Sequence, residues 1–214
     1  MVTSAGGEAF SSGVIHKKRE TNVKSAVKKT IGECAEIIPG VLPHESMDRP
    51  GRCSYTAVLP KQLTADGLSG EFGIVLRDLP CMKEQFLQDG DVLIKRLNPD
   101  CASVFTGCVN QIVASANVFA IRPKEMLDST FLAFLLEGSS LMQRISQRSG
   151  VGTAVSAITV QQIANCEIPL PPLELQHKLG MLWKLNKKEE KLLRELLTEN
   201  GRRLRALFGT LSTK

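Results

Sequence analysis

The stretch Glu167-Ile168-Pro169-Leu170-Pro171-Pro172-Leu173-Glu174-Leu175-Gln176 decides the reading of this chain. Glu167 to Leu170 reads as a short extended segment, and Pro171-Pro172 stops it, the second proline suiting the first turn of a new helix. From Leu173 to Phe208 there is no further proline, and only Gly180 and Gly201 interrupt the run. Apolar residues fall at Leu175, Leu179, Leu182, Leu185, Leu192 and Leu196, with Leu193, Leu197, Leu204 and Phe208 beside them. Steps of three, four and seven are those of a coiled-coil seam. The charged turn Lys187-Lys188-Glu189-Glu190-Lys191 breaks the stripe and marks a docking site or a kink. Gly201 weakens the helix by about 1 kcal/mol relative to Ala. At 1.5 Å per residue such a helix reaches about 54 Å. It is too long to bury its stripe on one small domain, so it needs a partner. Leu175, Leu179, Leu182, Leu185, Leu192, Leu196, Leu204 and Phe208 are the expected dimer interface.

Upstream, short apolar runs rich in β-formers are separated by turn residues. They are Tyr55 to Leu59, Phe72 to Leu76, Asp91 to Lys95, Gln111 to Ala114 and Val118 to Ile121, punctuated by Gly70, Asp89-Gly90, Asn98-Pro99 and Gly107. This spacing predicts a mixed or antiparallel sheet. The character changes at Asp128-Ser129, either of which can accept the free N–H groups of a first helical turn. Phe131, Phe134, Leu135, Leu141, Met142 and Ile145 then keep one helical face apolar to about Gln147, with a weak point at Gly138. Arg148 to Thr153 reads as a loop, and Thr159 with Gln162 as a capping box on a short helix. The first compact element starts at Ile31-Gly32-Glu33-Cys34-Ala35-Glu36-Ile37-Ile38 and ends at Pro39-Gly40. The expected class is α+β. A flexible basic leader (1–30) precedes a β-rich globular domain (31–172), a long C-terminal coiled-coil helix (173–209) and a short tail (210–214).

The 214 residues carry a formal charge of +5, unevenly distributed. Residues 1–30 hold six Lys/Arg against two acids, 31–173 hold 11 against 15, and 174–214 hold ten against five. The acidic middle excludes a uniformly basic protein that coats nucleic acid. No run approaches the ~18 apolar residues of a membrane span, and the N-terminus lacks the apolar segment of a secretory signal. Six scattered cysteines without a Cys-x-x-Cys pair point to reduced thiols and a cytoplasmic location. Cys101 and Cys108 have the wrong spacing for a zinc pair. No Gly-x-Ser-x-Gly, His-Glu-x-x-His or phosphate-binding Walker loop occurs, and His16, His44 and His177 do not cluster. Asn98-Pro99-Asp100-Cys101 lacks the second proline and the aromatic of an amino-methyltransferase site, which leaves a polar turn after a strand. Nothing here predicts catalysis by this chain.

Three segments together resemble the specificity subunit of type I restriction–modification enzymes. They are the front segment Ile31 to Gly40, the strand Phe86-Leu87-Gln88-Asp89-Gly90-Asp91-Val92-Leu93-Ile94, and Gln162 to Gln176 running straight into the long helix. The join Pro169-Leu170-Pro171-Pro172-Leu173-Glu174-Leu175-Gln176 is the most specific of them. Family members carry two target-recognition domains and two such helices, so a chain with one of each looks like a half-subunit. The resemblance implies a non-catalytic DNA reader without a cofactor of its own. Its partners would be double-stranded DNA, a second copy, DNA methyltransferase (modification) subunits and the restriction subunit, with no membrane. Loops after strands are the natural readers, because a sheet holds them rigid. Lys95, Arg96 and Asn98 combine phosphate-pairing cations with an amide able to read adenine. Arg144, Arg148 and the loop Ser149, Gly150, Gly152, Thr153 form a second candidate set, whose glycines let backbone N–H groups approach a phosphate. A rival reading is a protein-interaction module with a dimerising helix. An RNA binder fits less well, since the ten aromatics do not interleave with basic residues.

Overall fold

A computed structural model of the chain describes residues 27–41, 54–69, 72, 74–77, 83–107, 111–138, 141 and 157–211. The central element is a four-stranded antiparallel sheet in the order β2-β10-β7-β8, built from Ala35–Pro39, Val118–Pro123, Val92–Lys95 and Ala102–Val104. A second sheet, β6-β3-β9, joins Ile74–Arg77, Ser54–Val58 and Ile112–Ala114, with β3 and β9 parallel. The hairpin β4–β5 (Leu63–Thr64, Gly67–Leu68) lies near β8. Every other strand pair among the described residues is antiparallel. The structure is therefore the α+β, β-rich head with a long C-terminal helix that the sequence predicts.

Alternation along β7 and β10 explains why these strands are apolar without a break. Successive side chains point to opposite faces of a sheet. Val92, Ile94, Phe119 and Ile121 enter one core with Phe131, Leu132, Leu136, Ile158 and Ile168. Leu93, Val118 and Ala120 enter another with Val58, Leu63, Phe105 and Ile112. Both faces of the sheet are thus covered. Helix α1 (Ile31–Cys34), α2 (Ser129–Gly138) and α3 (Val160–Ala164) contribute to the first of these cores. Thr159 caps α3 as its spacing predicts: its hydroxyl accepts from the Gln162 N–H at 3.3 Å while the Gln162 carboxamide oxygen accepts from the Thr159 N–H at 2.8 Å. In α2 the burial differs from the expected stripe. Leu132 and Leu136 are fully buried and Phe134 and Leu135 only partly, because the sheet covers one side and the long helix another. Met142 and Ile145 lie outside the described residues.

One expectation is corrected. Residues 27–30, assigned to the flexible leader, form β1 (Val27–Thr30), antiparallel to β11 (Glu167–Leu170) with Val27 opposite Leu170. Strand pairing between segments 140 residues apart leaves no periodic trace in four residues of sequence. Thr30 also caps α1, with Glu33 Oε2 accepting from its N–H at 2.7 Å.

The Gly-Asp pair that precedes β7 proves to be a buried brace. Gly90 sits at φ +90°, a region that disfavours side chains, and its N–H donates to Phe105 O at 2.9 Å. Asp91 is 1% exposed and takes a two-pronged grip from Arg122: Nε to Oδ1 and Nη2 to Oδ2, both at 2.9 Å. The same guanidinium donates to Phe86 O at 2.8 Å, and Asp91 Oδ2 accepts from the Gln88 N–H at 2.8 Å. The strand entry, the 86–88 turn and β10 are thereby tied together. Asp91→Ala, which strands Arg122, is expected to lower stability by about 3–5 kcal/mol in chemical denaturation. Asp100→Ala at the exposed Lys95 pair should cost no more than about 1 kcal/mol; equal losses would refute this ranking.

Candidate nucleic-acid interface

The β7–β8 turn, residues 96–101, projects from the central sheet and holds the first candidate set. Its backbone is fixed on both sides. The Arg96 N–H donates to Asn117 O at 2.9 Å, and Arg96 O accepts from the Ile158 N–H at 2.9 Å. Leu97 is bridged to Ala157. Asn98 adopts φ +46°, the left-handed region in which Asn is among the tolerated residues. The exposed side chains of Arg96 and Asn98 make no hydrogen bond or ion pair among the described residues. Lys95 is different: its ammonium lies 2.9 Å from Asp100 Oδ1. Burial works against the charged form of both partners, but their mutual hydrogen bond and attraction outweigh it, raising the Lys95 pKa and lowering that of Asp100. Lys95 therefore pairs within the turn, whereas the exposed side chains of Arg96 and Asn98 have no such partner among the described residues. Beneath them Cys101 is buried, and burial, reinforced by Asp100, pushes its thiol up to about 12.

The second candidate set, Arg144, Arg148, Ser149, Gly150, Gly152 and Thr153, lies outside the described residues. The chain re-enters the description at Ala157, the residue bridged to Leu97.

Helix α4 (Leu173–Leu211) runs unbroken through the charged turn and Gly201 for 39 residues, about 58 Å at helical rise. Its first turns are seated on the head. Gln176 is 1% exposed; its Nε2 donates to Pro171 O at 2.8 Å and Met126 O at 3.0 Å, and its Oε1 accepts from the Asp128 N–H at 2.9 Å. Asp128 in turn caps α2, accepting from the Phe131 N–H at 2.7 Å, and contacts His177 Nδ1 at 2.9 Å. A methyl group on Gly180 would lie 2.9 Å from Phe131 N, so only glycine lets α4 approach α2 this closely.

This seating corrects part of the expected dimer seam. Leu179 packs with Trp183 against the head's own core, and Leu175 is half-buried, because the first turns of α4 lie against α2. Beyond them the stripe is bare. Leu182, Leu185, Leu192, Leu196, Leu204 and Phe208 are all more than half exposed, as are Leu193, Leu197 and Leu207. A further set was only partly read from the sequence: Lys184, with Lys187, Lys188 and Lys191 of the charged turn, lines a cavity with Ser103 of β8. Their spacing of three, four and seven residues was visible, but nothing in sequence places β8 opposite them.

A family model described as type I restriction modification DNA specificity domain matches residues 55–182. No curated protein sequence matches the chain. Among solved structures, the fold is similar to a chain from a study titled "Structural basis underlying complex assembly and conformational transition of the type I R-M system", with TM-score 0.64 and 19% identity over 86% of this chain and 44% of that one. It is also similar to the HsdS subunit from Thermoanaerobacter tengcongensis, with TM-score 0.59 and 22% identity over 81% and 40% of the two chains. The type I S subunit from M. genitalium gives TM-score 0.55 and 15% identity over 86% and 45%. The chain thus spans less than half the length of each solved chain.

The buried thiol under the candidate turn provides a test of the turn's rigidity. Its raised pKa keeps Cys101 protonated, and burial shields it, so an alkylating reagent at mildly alkaline pH should leave it unmodified in the native protein and label it in denaturant. Peptide mass mapping reads the outcome. Rapid native labelling of Cys101 would mean that the turn opens freely.

Proposed function

This chain belongs to the type I restriction modification DNA specificity domain family, and on that premise we propose that it is the sequence-reading, non-catalytic component of a DNA-modifying assembly. The observation that carries this reading is the family match, which runs from β3 through the head into the first turns of α4. The head reads one half of a split target in double-stranded DNA. Arg96 and Asn98 approach the groove from the rigid β7–β8 turn, Asn98 being able to pair with adenine and Arg96 with guanine or a phosphate. Arg144, Arg148 and the Ser149–Thr153 segment are the second proposed contact set. Methyltransferase subunits dock on the same component and bring the catalytic groups and cofactor, with the restriction subunit joining that assembly.

The bare stripe of α4 supports a second proposal, self-association. Leu182, Leu185, Leu192, Leu196, Leu204 and Phe208 are too exposed to contribute to the fold of one protomer. Paired with another copy, they leave water, and each fully buried leucine contributes about 1.5–3 kcal/mol. An isologous pair has two-fold symmetry, so two identical heads would read a palindromic split site across a rod-shaped spacer. The alternative is a protein-interaction module whose helix dimerises but whose head ignores DNA. It predicts binding insensitive to salt and to DNA sequence.

Mapping of methylated sites after co-expression with a methyltransferase subunit tests the DNA reading. Asn98→Ala is expected to relax one position of the target, a loss of about 1–3 kcal/mol of discrimination. Arg96→Ala should weaken binding to duplex DNA and, where it contacts a phosphate, lower the salt slope by about one. An unchanged methylation pattern in both variants would remove the turn from the interface. For self-association, the parent chain should sediment as a dimer at micromolar concentration, and Leu192→Asp/Leu196→Asp as a monomer. A monomeric parent sinks the two-headed arrangement.

A further inference from the structure

Where α4 leaves the head it forms one wall of a cavity of about 420 Å³, with β8 and the β4–β5 turn opposite. Lys184, Lys187, Lys188 and Lys191 line the helical wall. Lys187, Lys188 and Lys191 lie three, four and seven residues after Lys184, so each neighbours Lys184 on that side of the helix and their ammonium groups repel one another. Lys184 and Lys188 have no ion-pair partner among the described residues, and Lys191 only the Glu195 carboxylate at 4.0 Å. Lys187 pairs with Glu137 at the head, and Asp66 with Arg194 of α4. On the opposite wall Ser103 is 2% exposed, and its hydroxyl has no hydrogen-bond partner among the described residues. A buried unsatisfied hydroxyl is costly, and native structures rarely keep one without a use. Thr106, Thr130, Ala102, Val104, Trp183, Gly67 and Asp66 complete the lining, the Asp66 carboxylate being held by Arg194.

We propose that this cavity binds a phosphate-bearing nucleotide unit, its phosphate held by Lys184, Lys188 and Lys191 and by the Ser103 hydroxyl. The donor set selects phosphate over carboxylate. Ammonium groups act as point charges suited to a multiply charged oxyanion, whereas carboxylates favour the guanidinium fork, and Arg194 is spoken for by Asp66. The volume lies within the range of about 300–1,000 Å³ usual for small-molecule sites, so it admits more than a bare ion. Two sources carry this chemistry: a nucleotide of a DNA strand, and a free nucleotide. The first rests on the DNA-reading function proposed above; the second does not. In either case the rod supplies the positive charge that the acidic head lacks.

Titration calorimetry on the full chain distinguishes the sources, with ATP, inorganic pyrophosphate and a short DNA duplex as probes. The variants are Lys184→Ala/Lys188→Ala and the charge-neutral Ser103→Ala, with Arg202→Ala/Arg203→Ala as a control that removes the same charge further along α4. The double lysine variant is expected to weaken binding of at least one probe by about tenfold or more, and Ser103→Ala to weaken the same probe, while the control does much less. Loss confined to ATP and pyrophosphate identifies a free nucleotide. Loss confined to the duplex, with a shallower salt slope, identifies a strand phosphate. Equal losses in the cavity and control variants, or no binding of any probe, overturn the site. Duplex binding that survives both cavity variants, with no nucleotide binding, overturns the site and leaves DNA reading intact. ATP binding that is lost in the cavity variants, from a chain that ignores the duplex, does the reverse.

Discussion

The seat of α4 on the head is the constraint on which the rest of the molecule depends. Gln176 uses both amide protons and its oxygen within a space that excludes water, joining the first turn of the helix to the Met126–Asp128 segment and to Pro171. Asp128 receives that contact and caps α2, so one residue sets the start of one helix and the position of another. Gly180 then removes the side chain that would hold the two helices apart. A 39-residue helix magnifies any looseness at its base. A buried, fully satisfied amide beside a glycine contact is what makes the rod's direction a property of the head.

The same seat divides the helix by environment. Its first turns share the head's core through Leu179 and Trp183, its middle turns present lysines to the head, and its remainder carries leucines into solvent. Charge follows the same division. The region 31–173 is net acidic and the helix net basic, so attraction to a polyanion is strongest along the rod. The Asp91–Arg122 brace and the Lys95–Asp100 pair show how the head spends several of its own charges internally. What remains free at the β7–β8 turn is Arg96 and Asn98, one cation and one amide.

Much of the fold was legible because it is local. The strand β11, the proline stop and the long helix follow from composition and spacing within one segment. Thr159 and Gln162 announce their capping box four residues at a time, and the β7 and β10 runs announce full burial by their unbroken apolar character. The candidate site was legible only in part. Lys95 reads as a DNA-binding cation, and only the fold shows Asp100 beside it; Leu179 reads as a seam residue until α2 is seen beneath it. The Gly90-Asp91 pair was recognisable as a motif, yet its reason, a grip from Arg122 thirty-one residues away, lies outside any local window.

The sequence by itself determined the extended runs at β3, β7, β9, β10 and β11, where the rod begins, and that its leucines outnumber what one domain can cover. These depend on backbone preferences and on periodicity, both of which act over a few residues. The tertiary structure alone decided which charges are paired, which leucines belong to the head, that Val27–Thr30 joins β11, and that Ser103 and four lysines of α4 line one cavity. Those outcomes depend on distances between residues far apart in the chain, and burial and electrostatic attraction are set by distance in space, which sequence order does not encode.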